Sequence, residues 1–320
     1  MSLEVDFSDS IPGPFYMDVV KGLREDPPTI PCKYLYDQRG SELFNMICGQ
    51  EEYYPTLTEL GILVRYGAEM AAQIGRGARL VELGAGSGLK TRFLLDELEA
   101  PEVYMPVEIS ESALKQCARE ICEEYPGLRV EPIEADYTGE WSLPERAGEE
   151  RTVFFFPGST VGNFSRKEAE EFLRGLVSRG GRDVGLLIGV DLHKDREVLE
   201  AAYNDREGVT AEFNLNLLRR INRECGANFA LDRFEHRAVY DQERQRIEMR
   251  LVSLCDQIVA MEEESFMFKK GEYIVTEHSH KYRIEDFAEL SEGAGWKIRA
   301  FWTDRHHRFS VWYLEGRRVH

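Results

Sequence analysis

The stretch that decides the fold spans residues 78–90 and reads ARLVELGAGSGLK. Its first six residues form a short apolar run, which is typical of a buried parallel strand. Glycines follow at positions 84, 86 and 88, where they allow a ligand to approach the backbone, and a helical pattern continues over residues 90–98. The stretch therefore predicts a strand, a ligand-binding turn and a helix whose free N–H groups face that turn.

The same alternation of strands and helices continues along the chain. Further strands are predicted at residues 102–107, 128–132, 152–156 and 184–190. Helical patterns separate them, and this rhythm predicts an α/β fold with a doubly wound, Rossmann-like parallel sheet. A helix over 284–292 then precedes two closing strands at 296–303 and 309–314, the last of which is expected to lie antiparallel in the sheet.

A long helix is predicted before the first strand. Residues 56–59 match a capping box, in which Thr56 caps the helix and the Glu59 side chain reaches back to the cap. The helix is predicted to run to about Ile74, because Gly75 and Gly77 follow it.

The rhythm breaks at residue 193, where two helical segments and then several strand-like runs interrupt the sheet pattern. One helical segment carries an apolar face formed by Phe213, Leu217 and Ile221. We therefore predict two domains. Residues 57–192 with 281–320 form the sheet domain, and residues 1–56 with 193–280 form an α+β substrate-binding domain that covers the C-terminal edge of the sheet as a lid.

The composition excludes several classes of function. The net charge of −18 at pH 7 argues against nucleic acids, which proteins bind through clustered Lys and Arg. No apolar stretch approaches the roughly 20 residues of a membrane span, and the N-terminus lacks the pattern of a signal peptide. We therefore expect a cytoplasmic protein that binds neither nucleic acid nor a membrane. The sequence has no clear interface signature and leaves the oligomeric state open, with a monomer as one alternative.

The cysteines and histidines do not indicate a metal site. The six cysteines include no C-x-x-C pair, so in a chain of this length they are expected to be reduced thiols. No group of His, Cys and Asp has the spacing of metal ligands, and we expect no metal ion.

Polar residues at the ends of the first three predicted strands indicate the cofactor. Gly84 and Gly86 end the first strand, at the sheet edge where α/β proteins bind ligands. Glu108 ends the second strand, where it can accept hydrogen bonds from two ribose hydroxyls. Asp136 and Tyr137 follow the third strand, where they can flank an adenine. This set favours S-adenosylmethionine.

The main rival is a nicotinamide-dependent oxidoreductase. Its fingerprint is G-x-G-x-x-G/A, whereas Gly88 comes one position early here and Leu89 occupies the third place. Methyltransferases that act on nucleic-acid bases usually carry [DN]-P-P-[YF] after strand four, where this chain has PGSTVGN at 157–163. With the antiparallel closing strand, these features predict a class I S-adenosylmethionine-dependent methyltransferase that acts on another acceptor.

With these segments located, the chain resembles the histidine Nα-methyltransferases of ergothioneine biosynthesis over nearly its whole length. The matching stretches are YDQRGS at 36–41, EYYPT at 52–56, ELGAG at 82–86, KTR at 90–92, GSTVGN at 158–163, AYND at 202–205, GVTAEFN at 208–214, FEH at 234–236, IEM at 247–249 and TEHS at 276–279. Those outside the Rossmann part are the specific ones, because they lie in segments that this family adds.

The resemblance implies roles for individual residues. The cofactor-binding positions of the family fall on Gly84, Gly86, Lys90, Glu108, Asp136 and Tyr137. The acceptor is implied to be L-histidine, with its carboxylate held by Asn163 and Tyr203 and its imidazole by Glu277 and Ser279, in a pocket lined by Tyr53 and Met249. Tyr36 would lie near the reacting amine as the catalytic residue. The resemblance also implies three methyl transfers, which give trimethylhistidine (hercynine).

The residue types suit these roles, and alternatives remain open. Glu277 and Ser279 are two apart on an extended segment, so their side chains share one face and can satisfy both imidazole nitrogens. Met249 is equally consistent with a core methionine, and the tyrosines with packing aromatics. The alternative functions are N-methylation of another aromatic amino acid or amine, and a non-catalytic module that binds S-adenosylmethionine.

Overall fold

The computed structural model describes residues 13–86, 88–145 and 151–317. Ser87 of the glycine-rich turn and the first and last residues of the predicted domains (1–12 and 318–320) lie outside the described residues. In the part of the chain that is described, no helix is both long enough and apolar enough to cross a membrane.

The strands are β1 (Arg79–Leu83), β2 (Val103–Glu108), β3 (Arg129–Val130), β4 (Ile133–Glu134), β5 (Thr152–Phe156), β6 (Val184–Asp191), β7 (Phe234–Asp241), β8 (Arg246–Ser253), β9 (Gln257–Met261), β10 (Glu264–Phe268), β11 (Tyr273–His280), β12 (Trp296–Thr303) and β13 (Phe309–Gly316). The helices are α1 (Pro14–Leu23), α2 (Gln38–Cys48), α3 (Tyr54–Ile74), α4 (Leu89–Leu95), α5 (Glu111–Glu124), α6 (Arg166–Gly180), α7 (Arg196–Ala202), α8 (Val209–Cys225) and α9 (Ile284–Gly293). Short 3₁₀ turns lie at Cys32–Leu35, Thr160–Asn163 and Leu231–Arg233.

The large sheet has the strand order β12-β13-β6-β5-β1-β2-β3, and β4 also pairs with β2. Strands β1 to β6 run parallel, whereas β13 pairs antiparallel with both β6 and β12. Strands β1, β5 and β6 are buried along their whole length, because helices cover both faces of the sheet. The order reverses between β1 and β5, so a cleft opens at the carboxyl ends of these strands. This topology confirms the predicted α/β fold.

A second, antiparallel sheet has the order β11-β8-β7, and β9 and β10 form a separate hairpin. The core that packs against this three-stranded sheet includes apolar side chains of α1, α2 and α8. Among them are Phe213, Leu217 and Ile221, which are all buried as predicted. A short extended segment joins the edge of β11, where Thr29 pairs in parallel with Val275. The pairing carries the following 3₁₀ turn towards the cleft. The boundaries of the two predicted domains remain a prediction.

The predicted capping box is wrong. Helix α3 begins at Tyr54, with Pro55 in its first turn, so Thr56 already lies inside the helix. The Glu59 side chain does not reach back to the helix start; it is fully buried and contacts Lys90 and the Gly158 backbone. The predicted end of the helix at Ile74 is confirmed.

Two other expectations have clear outcomes. The strand predicted at 128–132 is split into β3 and β4, because Pro132 has no N–H to donate to the ladder. All six cysteines are free thiols, as the sequence predicted.

Candidate active site

One cavity of about 1390 Å³ lies at the carboxyl ends of β1, β2 and β5 and extends to β11. It brings together every residue that the sequence predicted for the site except Met249: Tyr36, Tyr53, Gly84, Gly86, Lys90, Glu108, Asp136, Tyr137, Asn163, Tyr203, Glu277 and Ser279. Among the described residues, no group of three His, Cys, Asp or Glu side chains is placed to hold a metal ion.

The glycine-rich turn forms one wall of the cavity. Gly84 has φ of 72°, a backbone conformation that a side chain disfavours, and a Cβ there would lie 3.4 Å from the Tyr137 ring. The Glu108 carboxylate accepts hydrogen bonds from the backbone N–H of Gly86 at 3.3 Å and of Ile109 at 2.9 Å. These contacts fix the acid beside the turn.

Asp136 and Tyr137 form the neighbouring wall. Burial alone would raise the pKa of Asp136, but hydrogen bonds from Thr138 and the Lys33 ammonium 3.5 Å away lower it, so the group is an anion at neutral pH. The Tyr137 ring packs edge-on against Phe156 at 5.6 Å. An acid and a fixed aromatic ring therefore stand together at this end of the cavity.

Lys90 and Glu59 connect the turn after β1 with the turn after β5. The Lys90 ammonium lies 2.6 Å from the Glu59 carboxylate, which also accepts from the Gly158 N–H at 2.9 Å. Gly158 begins the segment that carries Asn163, on the 3₁₀ turn Thr160–Asn163. The Asn163 amide makes only a weak 3.7 Å contact to the Cys32 sulfur, so its hydrogens are available to a ligand.

Aromatic rings pack together at the other end of the cavity. Tyr36 lies edge-on to Phe44 and Phe213 at 5.4 and 5.5 Å, and Tyr53 lies edge-on to Tyr203 at 6.0 Å. Burial, followed by the nearby Glu277 carboxylate, raises the pKa of Tyr36 well above its usual range. Tyr36 is therefore a neutral phenol at physiological pH and can donate a hydrogen bond.

Glu277 is the acid of this region. It lies on β11 directly after a register shift against β8, and its side chain borders the cavity. No hydrogen-bond donor among the described residues reaches its carboxylate. Burial raises the pKa of Glu277 to about 7, although the charge of Lys281 opposes the shift. Such an acid is half ionised near neutrality.

Ser279, Tyr203 and Lys281 form a hydrogen-bonded triangle beside Glu277. The Tyr203 hydroxyl donates to the Ser279 Oγ at 2.8 Å, and the Lys281 ammonium donates to both oxygens, at 3.0 and 2.8 Å. Because its hydrogen already points at Ser279, Tyr203 must rotate its hydroxyl before it can donate to a carboxylate.

Met249 does not border the cavity. It pairs with Glu277 across β8 and β11, but its side chain is buried in the core of the small sheet with Ile247 and Leu251. The alternate apolar positions of β8 face this core, which explains the placement. The structure thus places Met249 in the core, and its contact with the acceptor stays a prediction.

Several residues that lie behind the site were not predicted from the sequence. They form buried ion pairs and hydrogen bonds behind the cavity wall, and they are Lys281, Asp191, Lys194, Tyr54 and Glu59. Asp191 was visible as an acid at the end of a predicted strand. The two lysines gave no signal, because nothing in the local sequence shows that both are buried against the same Asp191 carboxylate.

The cavity fits S-adenosylmethionine. The left-handed glycine leaves room between the turn and the Tyr137 ring, an acid ends β2, and a second acid stands beside that ring. With the β12-β13-β6 arrangement of the sheet, these features define a class I S-adenosylmethionine-dependent methyltransferase.

The comparison with known proteins narrows this class to a family. The sequence model described as "Histidine-specific methyltransferase, SAM-dependent" matches residues 15–316. The chain therefore belongs to the family of histidine-specific, S-adenosylmethionine-dependent methyltransferases. This confirms the resemblance, the enzyme class and the cofactor that the sequence predicted.

Several known proteins are similar to this chain over most of its length. The chain is 39% identical over 304 residues to the histidine N-alpha-methyltransferase of Mycolicibacterium smegmatis, and the match covers 93% of each protein. It is 31% identical over 289 residues to ergothioneine biosynthesis protein 1 of Neurospora crassa, which covers 88% of this chain and 32% of that protein. An L-tryptophan methyltransferase of Psilocybe serbica is 26% identical over 334 residues, with 93% and 92% coverage.

Proposed function

We propose that this chain transfers methyl groups from S-adenosylmethionine to the α-amino nitrogen of L-histidine. The observation that carries the proposal is that Glu277 and Ser279 border the same cavity as the glycine-rich turn of β1. A hydrogen-bond acceptor and a hydroxyl in one wall match the two nitrogens of an imidazole. Three successive transfers, giving trimethylhistidine, rest on the family resemblance.

The two ends of the cavity take different roles in this proposal. Gly84, Gly86, Lys90, Glu108, Asp136 and Tyr137 hold S-adenosylmethionine, with the acids on the ribose and at the adenine. The lid domain predicted from residues 1–56 and 193–280 supplies Tyr36, Tyr53, Tyr203, Glu277 and Ser279 to the acceptor. Asn163, on the turn after β5, offers its amide hydrogens to the substrate carboxylate.

S-adenosylmethionine, when bound, supplies an electrophilic methyl group on a positively charged sulfur. Before each transfer the amino group would lose a proton to solvent, because only the neutral amine has an electron pair with which to attack. Its nitrogen would then form a bond to that methyl carbon as the carbon–sulfur bond breaks, and the sulfur would leave as the neutral thioether. The protein contributes chiefly by holding the amine in line with the methyl group. In this proposal Tyr36, a neutral phenol that borders the same cavity as Glu277, holds the amine or a water that carries the proton away.

A tryptophan acceptor is the second candidate, since one relative is named for it. An indole has one N–H donor and no acceptor, so it would pair with Glu277 and leave the Ser279 hydroxyl unsatisfied. An unpaired buried polar group weakens binding strongly, and this favours histidine.

The test is mass spectrometry of L-histidine incubated with the protein and S-adenosylmethionine, alongside tryptophan, tyrosine and histamine. We expect gains of one to three methyl groups on histidine alone. Glu277→Gln and Ser279→Ala should each lower kcat/KM for histidine by at least tenfold, whereas the exposed Glu263→Gln should not. Methylation of another acceptor, with histidine unchanged, would disprove the proposed substrate and leave the family assignment intact.

A further inference from the structure

A buried lysine stands directly behind the acceptor wall. Lys281 follows the last residue of β11, and its side chain is 1% exposed. The ammonium donates to three oxygens, those of Asp191 at 2.8 Å, Tyr203 at 3.0 Å and Ser279 at 2.8 Å. All three of its hydrogens therefore have partners, two of which belong to the proposed acceptor site.

The Asp191 carboxylate anchors this lysine and a second one. Asp191 ends β6 and is fully buried, and it accepts from Lys194 at 2.6 Å and from the Tyr54 hydroxyl at 2.7 Å. Lys194 contacts Asp191 and Tyr54 but neither Tyr203 nor Ser279. The two lysines therefore share one carboxylate, and only Lys281 extends to the site.

The chemistry of an ammonium fixes the direction of the two hydrogen bonds that Lys281 makes to hydroxyl groups. It can only donate, so the hydroxyl oxygens of Tyr203 and Ser279 both accept from Lys281. Separately, the Tyr203 hydroxyl donates to the Ser279 Oγ, which therefore accepts two hydrogen bonds in all. Both acceptor positions of this oxygen are filled, so the remaining hydrogen of Ser279 is directed into the cavity.

We propose that Lys281 is a positioning residue that makes Ser279 a hydrogen-bond donor, and that the site thereby selects the neutral imidazole ring of histidine. The proposal rests on the proposed function. Ser279 offers a hydrogen and ionised Glu277 offers an acceptor. The preferred ring therefore has one unprotonated nitrogen, which accepts from Ser279, and one N–H, which donates to Glu277. A doubly protonated imidazolium presents no acceptor to Ser279, and neither does an indole.

The experiment uses the full chain and a double-mutant cycle. Lys281→Met, Ser279→Ala and the double variant are compared by kcat and KM for L-histidine, with Lys194→Met as the matched control. We expect Lys281→Met to raise KM about tenfold. The same substitution in the Ser279→Ala background should change KM less than twofold, because the hydroxyl it orients is gone.

A purely structural role of Lys281 predicts a different pattern. Lys281→Met and Lys194→Met would then raise KM alike, or the Lys281 effect would persist without Ser279, and either result overturns the proposal. The Kd of S-adenosylhomocysteine, measured by calorimetry, should stay within twofold of the wild-type value in Lys281→Met. Wild-type protein that leaves histidine unmethylated refutes the proposed function instead.

A second measurement does not depend on whether Lys281→Met folds. The two isomers 3-(thiazol-4-yl)alanine and 3-(thiazol-5-yl)alanine each keep one ring nitrogen as an acceptor, at either of the two imidazole positions, and have no ring N–H. For one isomer, Ser279→Ala should weaken competitive inhibition about tenfold relative to the wild type. If neither isomer depends on Ser279, the serine is not the donor and the proposal fails.

Discussion

The buried Glu59 carboxylate is predicted to stabilise the fold through its charge. Glu59 is 0% exposed, and its carboxylate lies 2.6 Å from the Lys90 ammonium and 2.9 Å from the Gly158 nitrogen. Glu59→Gln keeps the shape of the side chain and one acceptor oxygen. The substitution therefore isolates the loss of the negative charge beside Lys90.

The magnitude follows from the burial of the two partners. Removing one member of a buried ion pair costs about 3–5 kcal/mol, because the other charge is left uncompensated. The Lys90 side chain is 18% exposed and borders the cavity, so water can partly compensate it, which favours the lower end, about 3 kcal/mol. At roughly 2 °C per kcal/mol for a chain of this size, Tm should fall by about 6 °C.

The assay is thermal unfolding followed by intrinsic fluorescence at pH 7. The control is Glu69→Gln on the same helix, where an exposed carboxylate accepts only from the Trp302 indole N–H at 2.9 Å. An amide oxygen can replace that acceptor, so Tm should change by less than about 1 °C. If the two variants unfold at the same temperature, the charge of Glu59 does not stabilise the fold and the reasoning is wrong.

Three further predictions concern the site. The pKa of Glu277 is raised to about 7, so the carboxylate that accepts a ring N–H becomes protonated as pH falls. The ratio of kcat/KM for histidine between the wild type and Glu277→Gln should therefore drop about tenfold per pH unit below pH 7. A ratio that stays constant with pH contradicts this prediction. Tyr36→Phe should lower kcat about 100-fold across pH 6–9, and an unchanged kcat excludes Tyr36 from proton transfer. Gly84→Ala forces a residue with a side chain into a left-handed backbone conformation beside Tyr137. The Kd of S-adenosylhomocysteine, measured by calorimetry, should therefore rise about tenfold. The control is Gly127→Ala, which should leave this Kd unchanged because the space around Gly127 is open.

Local patterns in the sequence predicted most of the large sheet. The bounds of β5 and β12 were predicted to the residue, and β6 and α9 begin where expected. These elements are buried strands or amphipathic helices, whose period is visible in a short window. Two local predictions failed. Pro132 interrupts the predicted third strand, and Glu59 has the spacing of a capping residue but lies in a buried ion pair.

The sequence predicted which residues line the site, but not the hydrogen bonds and ion pairs that join them to the residues behind it. Twelve of the thirteen proposed residues border one cavity. They could be predicted because strand ends and family motifs are recognisable in short stretches of sequence. Met249 alone does not border the cavity, and the alternation along β8 was equally consistent with its placement in the core of the small sheet. No local pattern distinguished the two.

The sequence by itself determined the class of fold, the cofactor and the residue types that face the acceptor. Each of these follows from a short motif whose chemistry is complete within a few positions. Only the tertiary structure decided that Lys281 lies against Ser279, Tyr203 and Asp191, and that Glu59 pairs with Lys90. Most of these partners are distant in the chain and meet only when the sheets fold, and the sequence contains no signal for the direction of a hydrogen bond between them.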